Sequence, residues 1–161
     1  MATKPPPKEH LDPRARTLWR LSGLLGAIPI ALAAGGGAYA LIRFGLVSRP
    51  LAILAAVLVI AAAGLSVWPY PDLLWRRWRY EIGQAEVDLQ HGWWTVTRTR
   101  IPMSRIQHVD TRRGPLQRRF GLASVVLYTA AGASEIPALA DDVAADARDR
   151  IAALAHVYDD L

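Results

Sequence analysis

The chain has 161 residues, of which 52% are hydrophobic and 20% charged, with a formal net charge of +5 and no cysteine. The missing thiols exclude disulfide staples, thiolate nucleophiles and cysteine-ligated zinc or iron–sulfur centres. A mean hydropathy of +0.15 conceals a segregated pattern, because the apolar residues crowd into the first 70 positions.

In chain order, residues 1–18 come first. They carry Pro5-Pro6-Pro7 among charges and read as a disordered cytoplasmic tail. Residues 19–78 read as a transmembrane hairpin with spans at about 21–42 and 51–70. Leu21 to Ile42 holds no charged residue, and Leu51 to Val67 is also uncharged before Trp68, Pro69 and Tyr70. Roughly 20 apolar residues cross a hydrocarbon core about 30 Å thick. The short link between Arg43 and Arg49 makes the two helices antiparallel neighbours.

Trp19, Trp68, Tyr70, Trp75 and Trp78, with Arg76 and Arg77, flank the spans and are expected to be interfacial anchors. Lys4, Lys8, Arg14, Arg16 and Arg20 precede the hairpin and Arg76, Arg77 and Arg79 follow it. The positive-inside rule then puts both termini in the cytoplasm, as in a multi-pass protein of a bacterial cytoplasmic (inner) membrane. Gly26, Ala33 and Gly37 on the first span and Ala52, Ala56 and Ala63 on the second allow close helix packing. Neither span holds the mid-membrane ionisable residue that a transport path would want.

Residues 79–161 change character. Tyr80–Ile82 is a short strand, and Val87 to His91 alternates at period two. Gly92 separates that strand from a second, Trp93 to Arg100, with Trp94 and Val96 on one face, so the two form a hairpin. Arg105 to Arg113 is extended, and the odd spacing of Ile106 and Val109 suggests a bulge or an irregular edge. Pro115 fits the first position of a single helical turn that Gly121 ends. Ala123 to Thr129 is a buried strand, and Ser134–Ile136 returns before Pro137. Val143, Ala147, Ile151, Leu154 and Tyr158 form the apolar stripe of a closing helix.

The segment Ile101-Pro102-Met103-Ser104-Arg105-Ile106-Gln107-His108-Val109, followed by Gly114-Pro115-Leu116 and Phe120-Gly121-Leu122-Ala123, resembles the bacterial pleckstrin-homology-like domain of the YdbS type. The resemblance covers the second half of the chain, and the two preceding spans match the arrangement of the small members. It implies a membrane protein whose two-helix transmembrane hairpin precedes a mainly-β pleckstrin-homology-like domain, with two near-orthogonal antiparallel sheets and a C-terminal helix. It further implies work beside a larger paralogue carrying repeated domains of the same kind. In some bacteria such a pair is linked to tolerance of antimicrobial peptides. The family brings no catalytic residues.

Arg105, Arg112, Arg113, Arg118 and Arg119 cluster around Gly114-Pro115 and are the candidate site for lipid head groups or a protein partner. Guanidinium forks suit phosphate and carboxylate, and each cation at an anionic bilayer is worth about 1 kcal/mol. A solvated basic face is the plain alternative. His108 and Asp110 lie two apart on a strand without a third ligand, a weak basis for metal binding or acid–base chemistry. No glycine-rich phosphate loop or nucleophile elbow occurs. The expectation is a membrane-anchored binding or adaptor module without catalytic residues, cofactor or metal, and with no nucleic-acid partner. An anionic-lipid surface sensor in an envelope stress or peptide-tolerance system is the second reading, and a small membrane enzyme the third.

Overall fold

The structure, a computed structural model, describes residues 5–159. The chain divides into two compact units, Arg16–Leu73 and a second that runs from Leu74 onward and also takes in the N-terminal arm through Ala15.

The first unit is helical. Helix α1 (Arg14–Arg43) is 30 residues long, about 45 Å at 1.5 Å per residue. It ends at Gly45, whose φ of +66° reverses the chain. Pro50 opens helix α2 (Arg49–Val67). A break at Trp68 leads into α3 (Pro69–Arg77). Ala33, Gly37 and Ala38 of α1 and Ala52, Ala56 and Val59 of α2 line one shallow groove, but a Cβ at Gly26 or Gly37 would meet nothing within 4 Å, so the close approach expected at these glycines is not made. Around that groove the large side chains point outward: Leu32, Leu51, Leu58 and Leu65 are all well exposed. Two helices apolar on every side bury almost nothing of their own, and a bilayer is the solvent that fits them. At the end of the unit Arg20 pairs with Asp72 at 2.6 Å, and its guanidinium sits 4.8 Å from the Trp68 ring.

The second unit holds two antiparallel sheets. The four-stranded sheet runs β1 (Glu9–His10), β2 (Arg79–Ile82), β3 (Glu86–His91), β4 (Thr97–Pro102). The three-stranded sheet runs β5 (Ile106–Arg112), β6 (Leu122–Thr129), β7 (Gly132–Ala140). A 3-10 turn, Met103–Arg105, joins the sheets, the short helix α4 (Pro115–Phe120) joins β5 to β6, and helix α5 (Asp141–Asp159) closes the chain. Val87, Leu89, Met103, Leu122, Val125, Leu127, Ile136, Leu139 and Ile151 fill the core between sheets and helix. The expected irregularity is present as a register shift between Ile106 and His108.

Several expectations need correction. Within the tail assigned to residues 1–18, Glu9 and His10 add a strand to β2, Leu11 and Pro7 are buried, and α1 already starts at Arg14. Asp12 caps that start, accepting from the Arg14 amide at 2.8 Å. The boundary at residue 79 moves back to Leu74.

β4 begins at Thr97, not Trp93, because Gly92 to Val96 form a five-residue loop closed by the pair His91 and Thr97. β7 runs through Pro137 to Ala140. It is an edge strand, where a missing N–H costs no ladder bond. Ala138 there has φ of +51°, a left-handed value that side chains other than glycine seldom take. The buried stripe of α5 is Ala144, Ala147, Ile151 and Ala155, whereas Val143 is exposed. The side chain of Tyr158 lies outside the described residues.

Candidate functional site

The helical turn α4 carries two of the five candidate arginines. Its start is tied by the Gly114 amide donating to Gln117 Oε1 at 2.8 Å. Gln117 Nε2 then donates to the buried Ser124 Oγ at 2.8 Å, pinning the turn to β6. Gly121 closes it at φ +62°, ψ +40°. Arg118 and Arg119 are exposed on its last turn.

Arg112 ends β5, lies opposite Ser124, and donates to the Tyr128 hydroxyl with its guanidinium 5.7 Å from the ring. Arg113 Nε lies 3.2 Å from Asp141 Oδ1, at the first residue of α5, so an internal carboxylate answers part of its charge. These four arginines therefore gather at one end of the three-stranded sheet.

Arg105 does not join them. It precedes β5, and seven residues of extended chain put it roughly 20 Å from Arg112. There it lines a groove of about 590 Å³ with Ser104, Gln107, Thr129 and Ala131. Proximity in sequence becomes distance once the segment between is a strand.

A second side chain of β5 meets the same tyrosine. His108 stacks on Tyr128 with centroids 4.1 Å apart. Its Nε2 is 3.9 Å from Asp110 Oδ2, and both side chains are more than half exposed. Among the described residues no three candidate ligands converge for a metal ion. The row His108–Tyr128–Arg112 can stack against a flat group and hydrogen-bond an acceptor, but it holds no acid, base or nucleophile in a closed cleft.

The expected interfacial anchors separate into two groups. Trp68 and Tyr70 are exposed on the helical unit and Trp19 is half-buried on α1. Arg76 and Arg77 are exposed at the end of α3. Trp75 and Trp78 instead belong to the β domain. The Trp75 indole Nε1 donates to the carbonyls of Leu11 and Asp12 at 3.1 Å each, and its ring stacks on His10. Trp78 is buried and stacks on His91 at 5.7 Å. Trp75 on α3 and Trp78 just past its end therefore both find their partners within the β domain.

Two features have no counterpart in the sequence reading. The first is a clasp made by the N-terminal arm. Arg14 holds Asp12 and donates to the Phe120 carbonyl at 2.9 Å, capping α4. Its guanidinium keeps the Asp12 carboxyl below the usual carboxylate range. Tyr80, buried under β1, has its hydroxyl pushed well up by burial and by Glu9. The second is Asp88, a fully buried carboxylate held by Arg98 at 2.6 Å. Its signal in the sequence is an acid alternating with Val87 and Leu89, facing a strand that carries arginine at alternate positions, Arg98 and Arg100.

Two antiparallel sheets closed by a C-terminal helix, carried behind two exposed apolar helices, define a small membrane protein with a pleckstrin-homology-type domain. A model of the bacterial PH domain matches residues 22–155, and the chain belongs to that family. It is similar to the UPF0699 transmembrane protein YdbS of Bacillus subtilis (strain 168), with 36% identity over 154 residues and 96% of each chain covered. It also matches the UPF0699 transmembrane protein YdbT of the same organism, 29% identical over 94 residues, which are 57% of this chain but 19% of that longer protein. No solved structure matches significantly.

Proposed function

We propose that the chain is a membrane-anchored binding module that assembles with a larger membrane protein carrying domains of its own kind. In this reading the two spans hold it in a bacterial cytoplasmic membrane, both termini face the cytoplasm, and the β domain performs no chemistry. The observation that carries the proposal is the exposed edge formed by Arg112, Arg118 and Arg119. Among the described residues no carboxylate neutralises it, in contrast to Arg113. Such an edge suits carboxylates on a protein surface, and the match of one segment to a fraction of a longer relative supplies a candidate partner.

The same edge supports a second reading, an anionic-lipid sensor in an envelope stress or peptide-tolerance system, since guanidinium groups suit phosphate equally. The two are separated by the full chain in nanodiscs of neutral lipid, titrated with the purified larger relative. Replacing Arg112, Arg118 and Arg119 together by alanine is expected to weaken binding severalfold without lowering the unfolding midpoint. Unchanged partner binding, with salt-sensitive capture of anionic vesicles that the triple variant loses, would replace the first reading by the second.

A further inference from the structure

The loop from Gly92 to Val96 connects β3 and β4, and among the described residues it displays the most exposed aromatic surface of the β domain. Trp94 is 81% exposed and Trp93 52%, their rings meet edge to face at 5.8 Å, and Val96 beside them is also exposed. The loop is built to hold this shape. Gly92 has φ of +124°, and a Cβ at that position would lie 1.9 Å from the Thr95 carbonyl oxygen, so the tight return requires glycine. A soluble surface gains nothing from two adjacent outward indoles, which together leave a large apolar area in water.

Strand register says where this loop sits within its own unit. Arg79 pairs with Gln90 and with His10. The start of β2, the end of β1 and the end of β3 therefore share one end of the four-stranded sheet. Gly92 follows Gln90 by two residues, about 7 Å of extended chain. That same end is where the domain connects covalently to the apolar helices: α3 stops at Arg77, two residues before Arg79, and α1 starts at Arg14, four residues after His10. Arg76 and Arg77 are exposed there. Indoles at the end of a sheet tethered on both sides to membrane spans carry the chemistry of the bilayer interface.

We infer that the Trp93-Trp94-Thr95-Val96 loop dips into the head-group region of the protein's own membrane and serves as a third attachment point, fixing the orientation of the β domain. The inference rests on the membrane anchoring and is independent of any partner.

The chain has no cysteine, so single reporters can be placed cleanly. Trp94→Cys in the full chain, labelled with an environment-sensitive fluorophore and reconstituted in nanodiscs of mixed neutral and anionic phospholipid, reads the surroundings of the loop. Leu25→Cys on α1 gives the lipid reference and Asp149→Cys on α5 the aqueous one; Val96→Cys repeats the loop measurement at a site of different size. The expected result is blue-shifted emission from both loop positions, severalfold protection from iodide relative to position 149, and quenching by nitroxide lipids labelled near the head group. Iodide quenching equal to that at position 149 overturns the inference. So does protection from iodide without nitroxide quenching, which would mean that protein covers the loop.

Discussion

Asp88 is buried on β3, and Arg98 on β4 reaches diagonally across the ladder to hold it by three hydrogen bonds of 2.6 to 3.1 Å. The same guanidinium donates to the Pro5 carbonyl at 2.6 Å, so one residue links the four-stranded sheet to the N-terminal arm. The pair is asymmetric: the carboxylate is buried, whereas the guanidinium is partly exposed. Removing the cation strips a buried carboxylate of its nearest guanidinium, with Arg100 farther off at 3.6 Å. Removing the acid leaves a cation that can turn to water. Arg98→Ala is therefore expected to lower the thermal midpoint more than Asp88→Asn, as calorimetry of the detergent-solubilised chain would register. Arg98→Ala should also raise amide exchange near Pro7.

Glycine positions give a second contrast. Gly92 and Gly132 both have φ near +130°, but a Cβ at Gly132 meets nothing within 4 Å, while at Gly92 it strikes the Thr95 carbonyl. Gly132→Ala is expected to cost about 1 kcal/mol, from the backbone conformation alone. Gly92→Ala should cost more and reshape the loop, with a change in tryptophan fluorescence that Gly132→Ala lacks.

The phase of α5 gives a third test. Ile151 is fully buried and Val143 is exposed. Ile151→Ala is expected to destabilise by roughly 3 kcal/mol through lost burial and a residual cavity. Val143→Ala should stay within about 0.5 kcal/mol, the usual range for a surface change. Equal costs would place the helix in the phase that Val143 and Leu154 suggest.

His10 gives the pH dependence. Burial, and then the charge of Arg79, lower its pKa from 6.5 in the folded state. The neutral imidazole accepts a hydrogen bond from Arg79 and stacks on Trp75. A lowered histidine pKa means that the unfolded chain binds more protons in this window. The contribution of His10 is thus complete above pH 6.5 and is lost as pH falls through the folded value. The arm is expected to loosen on acidification below pH 6.5, with faster amide exchange in β1 and β2, and His10→Gln should remove that dependence.

Much of this architecture is written locally. The spans follow from uncharged length, the turn α4 from Pro115 and Gly121, and the irregularity of β5 from the broken alternation of Ile106 and Val109. What is not local is not legible. Glu9 and His10 become a strand only because β2, some 70 residues later, offers them an edge. Trp75 and Trp78 look like interfacial anchors until their acceptors, the carbonyls of Leu11 and Asp12, and the stacking partner His91 come from elsewhere in the fold. The α5 stripe keeps Ala147 and Ile151 but takes Ala144 and Ala155 in place of Val143 and Leu154, because a search for large apolar residues passes over buried alanines. Of the arginines, four are brought together and Arg105 is carried away by the length of β5.

Assembly with a larger membrane protein of the same family can be measured in the membrane itself. The most direct measurement is affinity isolation of the tagged full chain, mildly crosslinked in native membranes, with quantitation of the larger bacterial PH-domain relative. The two are expected in a fixed ratio that survives moderate salt and persists after exchange into nanodiscs. Recovery of the chain alone, from membranes in which that relative is equally abundant, would contradict the assembly.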